Sequence, residues 1–166
     1  QRSGNAKALR MDVTRPAEIE AVIGEVVAEF GRLDILVNNA GVNTLAHRVT
    51  IDQFPREEWD RLLSVDLTGL YDVSRFAARV MKKQKAGRII NIASIVGLVP
   101  LRLQCAFVAA KAGVAAMAET WAKELARYQI RTGSIAPGYT RTDILSAMRP
   151  EVLDKMLQSV PLRQGY

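Results

Sequence analysis

Short apolar runs and amphipathic stretches alternate along the chain, and this pattern predicts strands and helices in turn. The first apolar run, ALRMDV at residues 8–13, predicts a short strand. From Pro16 to Phe30 the apolar residues recur every three or four positions, which predicts an amphipathic helix that ends at Gly31. The continuous run LDILV at residues 33–37 predicts a strand that is buried on both faces of a parallel sheet.

The same alternation continues through the second half of the chain. A helix is predicted over residues 55–84, and the apolar run RIINIAS at residues 88–94 predicts a buried strand. A second long helix over residues 105–128 precedes a further strand, IRTGSIA at residues 130–136. Alternating strands and helices predict an α/β fold with a parallel sheet and right-handed crossovers, built as a single domain over residues 1–166.

Polar residues cluster just after three of the predicted strands. The sequence NNAG occupies residues 38–41, Ser94 ends the next strand, and PGYTRT occupies residues 137–142. Ligands of open α/β sheets bind at the carboxyl ends of the strands. The sequence therefore predicts one site, assembled from three loops and from the helices that begin there.

Composition and charge narrow the possible functions. The chain has 166 residues, of which 49% are hydrophobic, enough for one sizeable core. Its single cysteine and single histidine leave too few soft ligands for a zinc site, so metal chemistry is not expected. No apolar run approaches the roughly 18 residues that a membrane helix needs, and the polar opening is not a signal peptide, so we expect a cytoplasmic protein without membrane contact.

The net charge of +6 could indicate a nucleic-acid partner, but the distribution of basic residues does not favour one. The only dense cluster, KKQKAGR at residues 82–88, lies at the end of a predicted helix, where cations interact favourably with the helix dipole. No sequence module of a nucleic-acid-binding protein accompanies it. We therefore expect no nucleic-acid partner.

Taken together, the loop motifs resemble the short-chain dehydrogenase/reductase family. The matching pieces are NNAG, Ser94 of NIAS, Lys111 of FVAAKAG and APGYTRTD at residues 136–143, and the resemblance runs from Ala8 to about Leu162. It implies a doubly wound, Rossmann-like sheet that transfers a hydride between NAD or NADP and a small alcohol, ketone or sugar. It also implies a homo-oligomer, a dimer or tetramer, that associates through the helices predicted at residues 55–84 and 105–128.

The resemblance also indicates what this chain lacks. No glycine-rich phosphate loop occurs in the sequence, and the pattern of the family implies that its first two strands and its last strand are absent. The stretch that separates NAD from NADP specificity belongs to one of these strands, so either cofactor is expected.

Four catalytic positions of the family can be carried over. A serine that hydrogen-bonds the substrate oxygen falls on Ser94, and a lysine that holds the nicotinamide ribose and lowers the pKa of a tyrosine falls on Lys111. The tyrosine that acts as general acid or base falls on Phe107, and an asparagine that supports a proton relay falls on Asp66. Phe107 has no hydroxyl group, so tyrosine-type acid catalysis is expected to be lost or severely reduced.

The positions that contact the cofactor in the family carry over in the same way. They are Asp12, Asn38, Asn39, Ala40, Gly41, Lys111, Pro137, Gly138, Thr140 and Thr142. Asp12 matches a position that bonds the adenine ring, although an aspartate here also suits a plain turn. Thr140 and Thr142 match positions that contact the nicotinamide.

The altered positions leave two functions open. One is an active oxidoreductase whose catalytic ring has changed, and the other is a catalytically inactive relative that kept the fold for binding, scaffolding or cofactor sensing. A phenylalanine introduced deliberately to trap a complex fits the sequence as well. Asp66 and Lys111 both lie on apolar helix stripes, which favours a role in the site for each over surface exposure.

Overall fold

The computed structural model of the chain describes residues 6–43 and 47–140, and positions 154, 157, 158 and 160 beyond them. The helices are α1 (Pro16–Phe30), α2 (Arg56–Leu63), α3 (Leu70–Gln84) and α4 (Cys105–Leu125), and the strands are β1 (Ile35–Asn38), β2 (Gly87–Ile92) and β3 (Ile130–Ile135). A π-helical turn, Ser64–Gly69, joins α2 to α3. The predicted α/β fold is confirmed, with its helices and three of its four predicted strands.

The three strands form a parallel sheet in the order β1-β2-β3. Each strand lies beside the one before it in the chain, so both crossover connections run in the same direction across the sheet. Because such connections are right-handed, all the connecting helices lie on one face. That face carries Leu36, Ile89 and Ile130, which pack with side chains of the helices. Met81 of α3 and Leu125 of α4 close the core between helices and sheet.

The opposite face of the sheet is open, which corrects the prediction that the strand at 33–37 is buried on both sides. Ile35 is 55% exposed and Val37 is 52% exposed, while Leu36 between them packs into the core. The period of two along a strand sends alternate side chains to opposite faces. Within the described residues, all the helices packed on the sheet lie on one face, so only one set of side chains is covered.

The predicted strand at residues 8–13 is wrong. A strand requires a neighbouring ladder of hydrogen bonds, and the three described strands pair only with one another. Met11 and Val13 instead pack beside the α1–α3 core cluster. Gly69 permits this approach, because a Cβ atom there would lie 2.9 Å from both Val13 Cγ2 and the Val13 carbonyl oxygen.

Helix ends follow the sequence signals. Gly31 terminates α1 in the left-handed conformation, with φ of 74°, and its N–H donates to the Val27 carbonyl oxygen at 2.9 Å. Lys82 and Lys83 lie in the last turn of α3, as the basic cluster predicted, and the Lys82 ammonium stacks over the Tyr128 ring.

Of the helices in the described ranges, none has the length and apolar character needed to cross a membrane.

Candidate active site

Asp66 lies at the bottom of the site and is completely buried. The π-helical turn between α2 and α3 carries it, and such a turn displaces one residue from the regular helical ladder. Its Oδ1 accepts a hydrogen bond from the Val42 N–H at 2.7 Å. The NNAG turn approaches so closely that a Cβ atom at Gly41 would lie 3.2 Å from Asp66 Oδ2. The predicted loop after β1 and the predicted acidic residue are therefore in direct contact.

Lys111 reaches Asp66 from the neighbouring helix. It lies on the buried face of α4, only 7% exposed, and its Nζ is 3.2 Å from Asp66 Oδ2. The same Nζ donates a hydrogen bond to the Ile92 carbonyl oxygen at 3.1 Å, at the end of β2. The approach to Oδ2 lacks hydrogen-bond geometry, so the attraction between the two side chains is Coulombic, and Oδ2 has no hydrogen-bond donor among the described residues.

Phe107 precedes Lys111 by one helical turn on α4. The Lys111 ammonium lies 5.6 Å from the centroid of its ring, within the range of a cation–π interaction. The ring packs against the cluster that contains Leu62, Ala106 and Ala110. The aromatic group therefore contacts the charged pair, but it offers no proton to exchange.

Ser94 follows β2 and begins a short 3-10 turn, Ile95–Gly97. Its Oγ accepts a long hydrogen bond from the Val96 N–H at 3.4 Å, and no acceptor for the hydroxyl hydrogen is present in the part of the chain that the structure describes. The turn is pressed onto α4, because a Cβ atom at Gly97 would lie 2.7 Å from the Lys111 carbonyl carbon. The backbone of the turn thus fixes Ser94 relative to Lys111.

The third predicted loop is joined to the same turn. The Ile95 N–H donates to the Pro137 carbonyl oxygen at 3.0 Å, directly after the pairing of Ala93 with Ile135. Gly138 and Thr140 are exposed beside it. Thr142, the second predicted nicotinamide contact, lies outside the described residues.

The four residues of the NNAG turn divide into two groups. Asn39, Ala40 and Gly41 are exposed at the carboxyl end of β1. Asn38 is buried, and its Nδ2 donates to Ser74 Oγ and to Asn91 Oδ1, each at 2.8 Å. The Asn38 side chain is therefore used inside the fold, on the face that the helices cover.

Asp12 has local partners in the turn before α1. Its Oδ1 accepts from both the N–H and the hydroxyl of Thr14, at 2.8 and 2.7 Å, and these bonds hold the pKa of the carboxyl below its usual range. Its carbonyl oxygen accepts from the Arg15 N–H at 3.0 Å. These contacts match the turn-forming alternative, and a contact with an adenine ring stays a prediction.

A charged pair that the sequence motifs did not indicate lies next to the NNAG loop. Arg61 hydrogen-bonds Glu58 through two nitrogen atoms, at 2.7 Å each, and its Nη2 also donates to the Asn43 carbonyl oxygen at 3.1 Å. Glu58 raises the pKa of Arg61, and the nearby Asp66 carboxylate adds to this shift. The spacing of the pair, i and i+3 on a helix, is the signal that could have identified it.

Three strand-end loops thus surround Ser94, Phe107, Lys111 and Asp66. The sequence model of the short chain dehydrogenases matches residues 1–153 of this chain. The chain belongs to the short-chain dehydrogenase family. Two relatives of that family are the 3-oxoacyl-[acyl-carrier-protein] reductases FabG of Thermotoga maritima and Vibrio cholerae, which are 37% and 36% identical to this chain.

The alignments cover nearly all of this chain but only part of each relative. The alignments include 92% and 95% of this chain but only 61% and 63% of the two reductases, so the chain spans about three fifths of their length. Solved structures give the same proportions. An NAD⁺-bound xylitol dehydrogenase superimposes with a TM-score of 0.87, and gox2181 with 0.90, each at 30% identity. The TM-scores confirm the fold, and the chain covers 65% and 62% of these two structures.

The residue types at the sheet edge fit the nicotinamide half of a dinucleotide. Exposed residues 39–41, together with Gly138 and Thr140, border the site, and glycines there permit close approach of a ligand. Lys111 is the group that would hold ribose hydroxyls of a bound nicotinamide nucleotide, whereas the fully buried Asp66 carboxylate would act only through its ion pair with Lys111.

Proposed function

We propose that the full-length protein is an NAD- or NADP-dependent oxidoreductase that interconverts a small alcohol and the corresponding ketone or aldehyde, with proton transfer weakened at Phe107. The observation that supports the proposal is the packing of the Ile95–Gly97 turn, which follows Ser94, against the backbone of Lys111 at the carboxyl edge of the sheet. The names of the relatives, a 3-oxoacyl-[acyl-carrier-protein] reductase and a xylitol dehydrogenase, support a carbonyl and alcohol pair as substrate and product.

Ser94 is suited to bind the substrate oxygen. Its hydroxyl hydrogen has no acceptor among the described residues, so it can be donated to a carbonyl or to the oxyanion that develops from one. Lys111 is suited to hold ribose hydroxyls, since its ammonium lies within the site on a fixed helix. A bound nicotinamide supplies or accepts the hydride.

Reduction of a carbonyl adds a hydride to carbon and a proton to oxygen, and the proton is the weak point of this site. The ring of Phe107 cannot supply it. Ser94 can donate a hydrogen bond, but nothing described around it would replace its proton. We therefore expect the unmodified protein to bind cofactor and to turn over slowly.

The test is binding and turnover by the full-length protein. NADH and NADPH binding would be followed by fluorescence, and turnover by absorbance with a panel of ketones, aldehydes, alcohols and sugars. Phe107→Tyr is expected to raise kcat, and Ser94→Ala in that background to remove the gain, while the exposed Ser134→Ala leaves it unchanged. Absence of cofactor binding, together with no gain from Phe107→Tyr, would refute the proposal.

A catalytically inactive binding or sensing protein is the second candidate, and the Lys111–Asp66 pair at 3.2 Å favours it. A lysine whose charge is already neutralised contributes less to the activation of a proton donor. Cofactor binding with no turnover, before and after Phe107→Tyr, would favour this function. Lys111→Met should then weaken cofactor binding, with the exposed Lys123→Met as its control.

Self-association through α2, α3 and α4 is part of the proposal. Of the small residues on α4 that permit close approach, Ala109 and Ala116 are exposed. Gly113 packs against Leu67 of the same chain, because a Cβ atom there would lie 3.0 Å from Leu67 Cδ1. Sedimentation of the full-length protein should give a dimer or tetramer, and a monomer at all concentrations would count against this part.

A further inference from the structure

Lys111 is held from two directions inside the protein. Its Nζ donates to the Ile92 carbonyl oxygen at 3.1 Å and lies 3.2 Å from Asp66 Oδ2. The two side chains are 9% and 0% exposed, so little water screens the charges. Asp66 is fixed in turn, because its Oδ1 accepts from the Val42 N–H at 2.7 Å.

This arrangement balances the charge of the buried ammonium. A charge removed from water needs a partner, and breaking such a pair leaves an uncompensated ion. Phe107 contributes only its ring, 5.6 Å from Nζ to the centroid. Asp66 is therefore the only carboxylate in ion-pair contact with Lys111 among the described residues.

We propose that Asp66 is a positioning residue that commits Lys111 to their ion pair and thereby prevents the ammonium from acting on a hydroxyl at position 107. The inference rests on the proposed function, because it sets how much turnover a hydroxyl restored there can add. Exchange of Phe107 alone then supplies a proton donor of ordinary pKa beside a neutralised lysine, and lowering of the pKa of that phenol requires exchange of both positions.

The phenol introduced by Phe107→Tyr reports the charge around it directly. A free ammonium nearby lowers the pKa of a phenol by stabilising the phenolate, and a carboxylate beside the ammonium cancels that effect. The charged group in contact with the ring at this position is Lys111 of α4, which pairs with Asp66 of the π-helical turn, and Asp66 in turn interacts with Arg61 of α2. We expect the phenol of Phe107→Tyr to titrate at or above the ordinary value of about 10.

The second exchange should free the lysine. In Phe107→Tyr/Asp66→Asn the phenol is expected to titrate about one pH unit or more lower than in Phe107→Tyr, which is a tenfold or greater loss of proton affinity. Asp60→Asn in the same background is the matched control. Asp60 lies on α2 in an exposed ion pair with Arg56, at 2.8 Å, so its removal should leave the midpoint unchanged.

The experiment is a spectrophotometric pH titration of the full-length protein without cofactor or substrate. Phenolate absorbs in the near ultraviolet, and subtraction of the unmodified protein removes the signal of the other tyrosines, of which this chain contributes four. Equal midpoints for Phe107→Tyr with and without Asp66→Asn would overturn the proposal.

Phe107→Tyr alone keeps the proposal testable if the double variant does not fold. A phenol that already titrates one unit or more below about 10 in that single variant would show that Lys111 acts on it despite Asp66. Because no cofactor is present, a failure of turnover tests only the proposed function, and a failure of the predicted titration tests only the role of Asp66.

Discussion

Gly97→Ala should disturb the site, although it changes none of the side chains that form it. A Cβ atom at Gly97 would lie 2.7 Å from the Lys111 carbonyl carbon and 2.8 Å from both the Lys111 carbonyl oxygen and the Ala112 nitrogen. All three atoms belong to the backbone of α4, so no side chain can rotate away. The added methyl group must displace either the helix or the turn that carries Ser94.

The expected cost follows from the rigidity of these neighbours. Adding one carbon to a well-packed region typically destabilises a protein by about 1–3 kcal/mol, and backbone on the opposing side favours the upper half of that range. Urea denaturation followed by circular dichroism measures this cost. In the full-length protein, NADH affinity should also fall, because the added methyl group presses on the backbone of Lys111, the residue proposed to hold the ribose hydroxyls.

Gly24→Ala is the matched control for this substitution. Gly24 lies within α1, where an added Cβ atom meets nothing within 4 Å, and alanine is favoured over glycine in a helix by about 1 kcal/mol. The same chemical change should therefore stabilise the protein at one position and destabilise it at the other. A Gly97→Ala variant as stable as the unmodified protein would refute the close packing of the turn on α4.

Two further substitutions test interactions around the site. Asn38→Ala removes the donor to Asn91 Oδ1 and should destabilise the fold by about 1–3 kcal/mol in urea denaturation, whereas the exposed Asn39→Ala should cost little. Arg61 lowers the pKa of Glu58, so their pair stabilises the fold above the unfolded pKa of about 4.3 and is lost as the pH falls through the folded value. Glu58→Gln should therefore reduce stability at pH 7, by about 0.5 kcal/mol, and by progressively less as the pH falls below about 4.3.

Elements with a strong local pattern were predictable from the sequence. The stripe in α1 and its end at Gly31 rest on spacing and on one glycine, and both appear in the structure. The segment at residues 8–13 has the composition of a strand, but pairing depends on a neighbour that lies elsewhere in the chain. Likewise, the apolar run of β1 could not reveal which of its faces the helices cover.

The site was predictable in its residues but not in its contacts. Motif spacing placed Ser94 and Lys111 at one edge, whereas the Lys111–Asp66 distance of 3.2 Å depends on how two helices cross. The π-helical turn that orients Asp66 leaves no clear signal in the sequence SVDLTG. The approach of Gly97 to α4 depends on backbone of both elements, so one glycine in a loop could not indicate it.

Phe107 and Asp66 both interact with the buried ammonium of Lys111, so the effects of these two residues depend on each other. A buried ammonium requires an electron-rich partner, and the carboxylate of Asp66 provides one where the ring of Phe107 provides only a weak attraction. Asparagine at position 66 beside Phe107 would leave Lys111 with the Ile92 carbonyl oxygen as its strongest partner. Substitutions that share a partner are not additive. The contribution of either position to binding or turnover can therefore be assigned only when both are varied together.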